Sequence, residues 1–184
     1  MSNIKVISDT TFEREFSAGE YFIGDLCYFF QHNNKADDIY QKLFNAPIND
    51  NWDFIGEICS ENKCYPYAMI GTKFGDGSFG VFNTEDYNSK EIKVLPVDAG
   101  NIGIIPVSMF EDNSFKDILR DISEFEKGGK NEWLALKVNI KEPFKVKTEE
   151  KKIEFKNDPD DDDCNETYDY DAKIIIYSDY RIVT

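Results

Sequence analysis

The segment WLALKVNIKEPFKVKTEEKKIEFK, residues 133–156, decides the fold class. Along Trp133–Asn139, Phe144–Thr148 and Lys152–Lys156, apolar and charged residues alternate. A period of two is the mark of antiparallel strands with one face packed and one face solvated. The same signature, four to eight residues rich in Ile, Val, Phe or Tyr and bounded by Gly, Pro, Asn or Asp, recurs N-terminally. It predicts strands at Lys5–Ser8, Glu20–Gly24, Leu26–Phe30, Asp53–Ile58, Tyr67–Thr72, Gly77–Phe82, Glu91–Pro96 and Ile102–Pro106. A last strand is expected at Ala172–Ser178, paired with Lys152–Lys156 as a long hairpin around an acidic loop, Asn157–Tyr168.

Two helices interrupt this pattern. Ala36–Asn45 directs Ile39 and Leu43 inward. The second follows Ser114, which with Asp117 resembles a capping box. Phe115, Ile118, Leu119, Ile122 and Phe125 then recur at helical spacing, and Gly128-Gly129 supplies a stop. That stripe reads as core against a sheet. The expected class is therefore β-rich α+β, a mainly antiparallel sheet or partly open barrel with two short helices. The 184 residues suit a single domain.

Charge excludes some functions. The chain carries 36 acids against 21 Lys and Arg, a net −15. Residues 149–171 hold eleven of the acids and three lysines, so a net −8 sits in that stretch. With no basic cluster, direct binding to nucleic acid phosphates is not expected. No run of ~18 apolar residues exists to cross a membrane. The start, Met1-Ser2-Asn3-Ile4-Lys5, lacks the charged-then-apolar layout of a signal peptide, so a cytoplasmic setting is expected. In such a compartment Cys27, Cys59, Cys64 and Cys164 are expected as free thiols. Cys59 and Cys64 flank the turn-like Glu61-Asn62-Lys63, a spacing that fits half a zinc site. With His32 the sole histidine, the second half is missing.

Three motifs place Asp beside Gly in strand-turn settings: Tyr21-Phe22-Ile23-Gly24-Asp25-Leu26-Cys27-Tyr28, Phe74-Gly75-Asp76-Gly77, and Pro96-Val97-Asp98-Ala99-Gly100-Asn101-Ile102-Gly103-Ile104-Ile105-Pro106. Gly supplies turn conformations and Asp bonds backbone N–H groups two residues on, so turns alone explain them. The functional alternative is that Asp25, Asp76 and Asp98 converge, to hold Mg²⁺ or Ca²⁺ or to divide acid and base roles in a metal-dependent hydrolase. Together the motifs resemble a family of uncharacterised small bacterial and phage-encoded proteins. The likeness spans Tyr21 to Pro106, with Leu26 where that family tends to have Pro. It implies a shared core fold and a prokaryotic or phage setting, and no activity to carry over.

Other chemistry finds less support. Cys27 and His32 lack a third group to orient a base. No Gly-x-Ser-x-Gly elbow, Walker loop or His-Glu-x-x-His occurs. The acidic loop has an oxygen count reminiscent of a calcium loop, through Asp158, Asp160, Asp162, Glu166 and Asp169. It carries Asp163 where the sharp turn wants Gly, so weak Ca²⁺ or Mg²⁺ binding is the most it suggests. These features point to a non-enzymatic, cofactor-free acidic protein that binds or inhibits another protein, of toxin-immunity or anti-defence type. Its expected contacts are Asp158, Asp160, Asp161, Asp162, Asp163, Glu166, Tyr168 and Tyr170, charge plus aromatic anchors for a partner with a basic surface such as a nuclease or toxin. A metal-dependent hydrolase and a calcium-binding module stay open as alternatives.

Overall fold

A computed structural model describes residues 4–156 and 167–184. In chain order the first strands are β1 (Lys5–Ser8), β2 (Glu15–Phe16), β3 (Gly19–Gly24), β4 (Phe54–Cys59), β5 (Cys64–Gly71) and β6 (Gly77–Phe82). They are followed by β7 (Lys93–Val97), β8 (Asn101–Pro106), β9 (Ala135–Ile140), β10 (Phe144–Lys156), β11 (Thr167–Tyr177) and β12 (Tyr180–Val183). The described residues form two α-helices, α1 (Asn34–Leu43) and the one-turn α2 (Val107–Phe110). The protein is thus β-rich α+β, with antiparallel pairing throughout the described strands.

The strands form two six-stranded sheets, ordered β1-β4-β5-β8-β3-β9 and β2-β10-β11-β12-β6-β7. Alternation along each strand builds the layer between them. Tyr21, Ile23, Ile55, Ile70 and Ile104 from the first sheet meet Phe79, Val81, Leu95, Ile175 and Tyr177 from the second in one buried cluster. The outer face of the first sheet is covered by α1 and irregular segments, where Phe22, Leu26, Phe29, Leu43, Phe54 and Phe115 pack. Asn33 caps α1, accepting from the Ala36 N–H at 2.9 Å.

Two expectations fail locally, for one reason. The predicted second helix is absent: Asn113–Phe115 and Ile122–Glu124 form separate 3-10 turns. Asp112 and Asp121 each accept from the N–H two residues on, at 2.8 and 2.9 Å. These Asx bonds start a turn twice and compete with a continuous helix. Between them, Gln31 N–H donates to Ile118 O and Arg120 N–H to Phe29 O, drawing the backbone into a β-bridge at Leu119. Phe115, Ile118, Leu119 and Phe125 are nonetheless buried, so the apolar stripe is core. Likewise Leu26–Phe29 is a 3-10 turn, not a strand, because Asp25 caps it.

The segments expected as two strands at Phe144–Thr148 and Lys152–Lys156 are one, β10, paired with β11 from Val146↔Tyr177 to Lys156↔Thr167. β12 accompanies only Ile174–Tyr177 and β2 only Phe144–Lys145. Beyond Lys173, whose backbone exchanges hydrogen bonds with Thr184, β10 and β11 continue as a two-stranded arm.

Candidate functional site

The three Gly/Asp motifs do meet, at one end of the first sheet. Asp25, following β3, is fully buried. Its Oδ1 accepts from the Cys27 N–H at 2.9 Å, and its Oδ2 from the Asp98 and Ala99 N–H groups at 2.9 and 2.7 Å. One carboxylate therefore caps a turn and pins the β7–β8 connection. Thr72, after β5, donates its hydroxyl to Gly75 O at 2.5 Å, and its N–H to Gly100 O at 2.9 Å. Gly100 has φ 65°, the left-handed region that favours glycine. At Gly103 a Cβ would lie 2.4 Å from Leu26 Cγ, so the missing side chain lets the Asp25 turn settle on β8.

This convergence builds turns. Both Asp25 oxygens face backbone donors, while Asp76 and Asp98 are exposed. Among the described residues, the one trio of His, Cys, Asp or Glu with ligand atoms within 4.8 Å is Glu57, Cys59 and Cys64. Asp25, Asp76 and Asp98 are not part of that trio. Burial pushes the Asp25 carboxyl up from its ordinary value, against the opposing pull of its N–H donors.

Two further candidates sit nearby in the sequence, Cys27 and His32. Burial, and then the Asp25 charge, push the half-buried Cys27 thiol far above the ordinary range, which suppresses thiolate. His32 Nε2 lies 2.8 Å from Arg120 Nη2.

The acidic arm is the other candidate. Of the expected contacts, Asp158, Asp160, Asp161, Asp162, Asp163 and Glu166 lie outside the described residues, as do four of the calcium-ligand candidates. The fifth, Asp169, belongs to β11 and pairs in register with Glu154, so strand begins before the twelfth position of a calcium-type loop. Tyr168 lies on the same strand, and the Tyr170 ring sits 5.4 Å from that of Phe74.

Alternation divides the arm's two faces. Ile153, Ala172 and Ile174 turn outward and pack with Phe82, Tyr87 and Val183, while the Lys151 ammonium lies 5.5 Å from the Tyr87 ring centre. The opposite face carries the register pairs Glu154↔Asp169, Lys152↔Asp171 and Glu150↔Lys173. Lys73 reaches Glu150 at 2.8 Å. The arm thus has a packed face and a charged face.

Its root is locked by a feature that sequence reading missed. Lys173, 3% exposed, donates to Asp53 Oδ1 and to Gly71 O, each at 2.7 Å. Asp53, fully buried on the opposite sheet's side, also accepts from Gly71 N–H at 3.1 Å and Asn49 Nδ2 at 2.9 Å. Lys173 falls where the inward face of β11 runs out of apolar residues. That periodicity was the available signal, since Lys173 shares a face with Ile175 and Tyr177.

The expectation of four free thiols is corrected by a Cys59–Cys64 disulfide. The two residues are register partners on β4 and β5, with Cα atoms 4.0 Å apart. Antiparallel pairing places them face to face, which their spacing along the chain did not reveal.

No helix among the described residues is long and apolar enough to cross a membrane. No family model, curated protein or solved structure is significantly similar to the chain.

Proposed function

We propose that the protein is an acidic binding protein, of toxin-immunity or anti-defence type, that uses its β10–β11 arm to occupy a basic surface on another protein. The observation carrying this reading is the arm itself. A ribbon rooted by a buried ion pair presents Glu154, Asp169 and Asp171 on one exposed face. It joins a ten-residue connection whose sequence holds six acids and no base. A rooted ribbon loses less freedom on binding than a free chain of the same charge, so more of its electrostatic attraction reaches the net affinity.

The test starts with capture from the native host on the full chain, followed by calorimetry with the purified partner. A variant with Asp158, Asp160, Asp161, Asp162 and Asp163 changed to Asn and Glu166 to Gln should bind more weakly, with a flatter dependence on salt. An identical affinity and salt dependence would refute the reading.

A further inference from the structure

We propose that Glu57, Cys59 and Cys64 form a redox-gated site for a thiophilic divalent cation of the Zn²⁺ class, open when the disulfide is reduced. Strand geometry assembles the ligands. Glu57 and Cys59 are two residues apart on β4 and share a face, and Cys64 stands opposite Cys59 on β5. One ligand atom from each lies within 4.8 Å of the other two. Two sulfurs and a carboxylate oxygen are a donor set that Zn²⁺ accepts, and Cys-x4-Cys is at the upper end of the spacing of Cys pairs in zinc fingers.

The hairpin holds the sulfurs together independently of their bond. Ser60 N–H donates to Lys63 O at 2.9 Å, and Lys63 N–H donates to Ser60 Oγ at 3.3 Å. Reduction therefore frees two thiols on strands that remain paired. Arg14 Nη1 donates to Glu57 Oε1 at 2.8 Å, which orients the carboxylate and leaves its second oxygen for a cation. Arg14 is itself held by Asp9. Two thiolates, one carboxylate and a divalent cation sum to a single negative charge, and Arg14 with its partner Asp9 leaves that sum unchanged. Cys64 borders a cleft of about 430 Å³ shared with Ser17, Tyr21 and Pro66, a route for the cation and for a water as fourth ligand.

The chemistry balances through an external dithiol. It transfers two electrons and two protons to the disulfide, which becomes two thiols while the donor becomes a disulfide. Cation binding then displaces the two thiol protons.

The test uses the full chain with Cys27→Ser and Cys164→Ser, so that these two sulfurs are the sole thiols. After reduction by a dithiol and anaerobic desalting, Co²⁺ serves as the probe. The reduced protein should show a thiolate-to-Co²⁺ charge-transfer band that saturates at one equivalent and that Zn²⁺ abolishes, and the oxidised protein should show no such band. Glu57→Gln should weaken binding at least about tenfold. Cys64→Ser, at an exposed position, should halve the charge-transfer intensity, with near-UV circular dichroism reporting that each variant is folded. Absence of Co²⁺ binding by the reduced protein, or an affinity that Glu57→Gln leaves unchanged, would overturn the proposal.

Discussion

Replacing Lys173 by Met deletes the ammonium that meets Asp53 and Gly71 O, each at 2.7 Å, where the arm enters the sandwich. Their side chains are 4% and 0% exposed, so solvent cannot take over the ammonium's role. Asp53 keeps Gly71 N–H and Asn49 Nδ2 as donors but loses its counter-charge. Removing one partner of a buried ion pair costs about 3–5 kcal/mol, mostly the penalty of stranding the other charge. For a chain of this size, each kcal/mol lowers Tm by about 2–4 °C, so a fall of roughly 6–20 °C is expected. Urea unfolding followed by far-UV circular dichroism measures the same loss isothermally. Lys173→Met combined with Asp53→Asn should recover part of it, because the second change removes the stranded charge and keeps an acceptor for Gly71 N–H. A single variant within ~1 kcal/mol of the parent, or two single costs that simply add in the double variant, would refute the assignment of the pair as the arm's lock.

Three further outcomes follow from the same geometry. Asp25→Asn turns an amide N–H₂ or a single acceptor toward three N–H groups and should cost about 1–3 kcal/mol in chemical denaturation, whereas Asp76→Asn and Asp98→Asn, at exposed positions, should stay within about 0.5 kcal/mol; equal costs at all three would contradict the turn-pinning role. Burial pushes Tyr67 up to about 12 and holds Tyr177, which donates to Ile102 O at 2.9 Å, well above its ordinary value. The folded state thus keeps protons that the unfolded state releases above pH ~10, so the contribution of these two tyrosines to stability is constant below that pH and is lost as pH rises through it, with late tyrosinate absorbance accompanying loss of near-UV circular dichroism. Replacing residues 157–166 by Asn-Gly should leave Tm within a few degrees, since Lys156↔Thr167 pairing and the Lys173 root are untouched and loop length enters stability only logarithmically.

How far the sequence could be read depended on the range of the forces involved. Alternation is a local signal, and it located nearly every strand, together with the hairpin that carries the acids. β2, two residues long, has too few positions to show a period, and the four-residue β12 was also missed. Helical spacing at Phe115–Phe125 identified which side chains are buried, but the backbone followed Asp112 and Asp121, whose Asx bonds compete with a helix and which the spacing did not weigh. The same oversight turned Leu26–Phe29 into an expected strand. The Gly/Asp motifs were legible as turns. That one of them, through Asp25, fastens another 73 residues away is a tertiary fact. Lys173 with Asp53, and Cys59 with Cys64 and Glu57, lie in the same category, because each set is assembled by strand register.

Calorimetric titration of the arm-neutralised chain against the captured partner, at low and at physiological salt beside the unaltered chain, tests the central claim most directly. If the arm is the binding element, neutralising Asp158, Asp160, Asp161, Asp162, Asp163 and Glu166 lowers affinity most at low salt and brings the two salt conditions together. A variant with normal Tm that binds as tightly, and as salt-dependently, as the parent would contradict it.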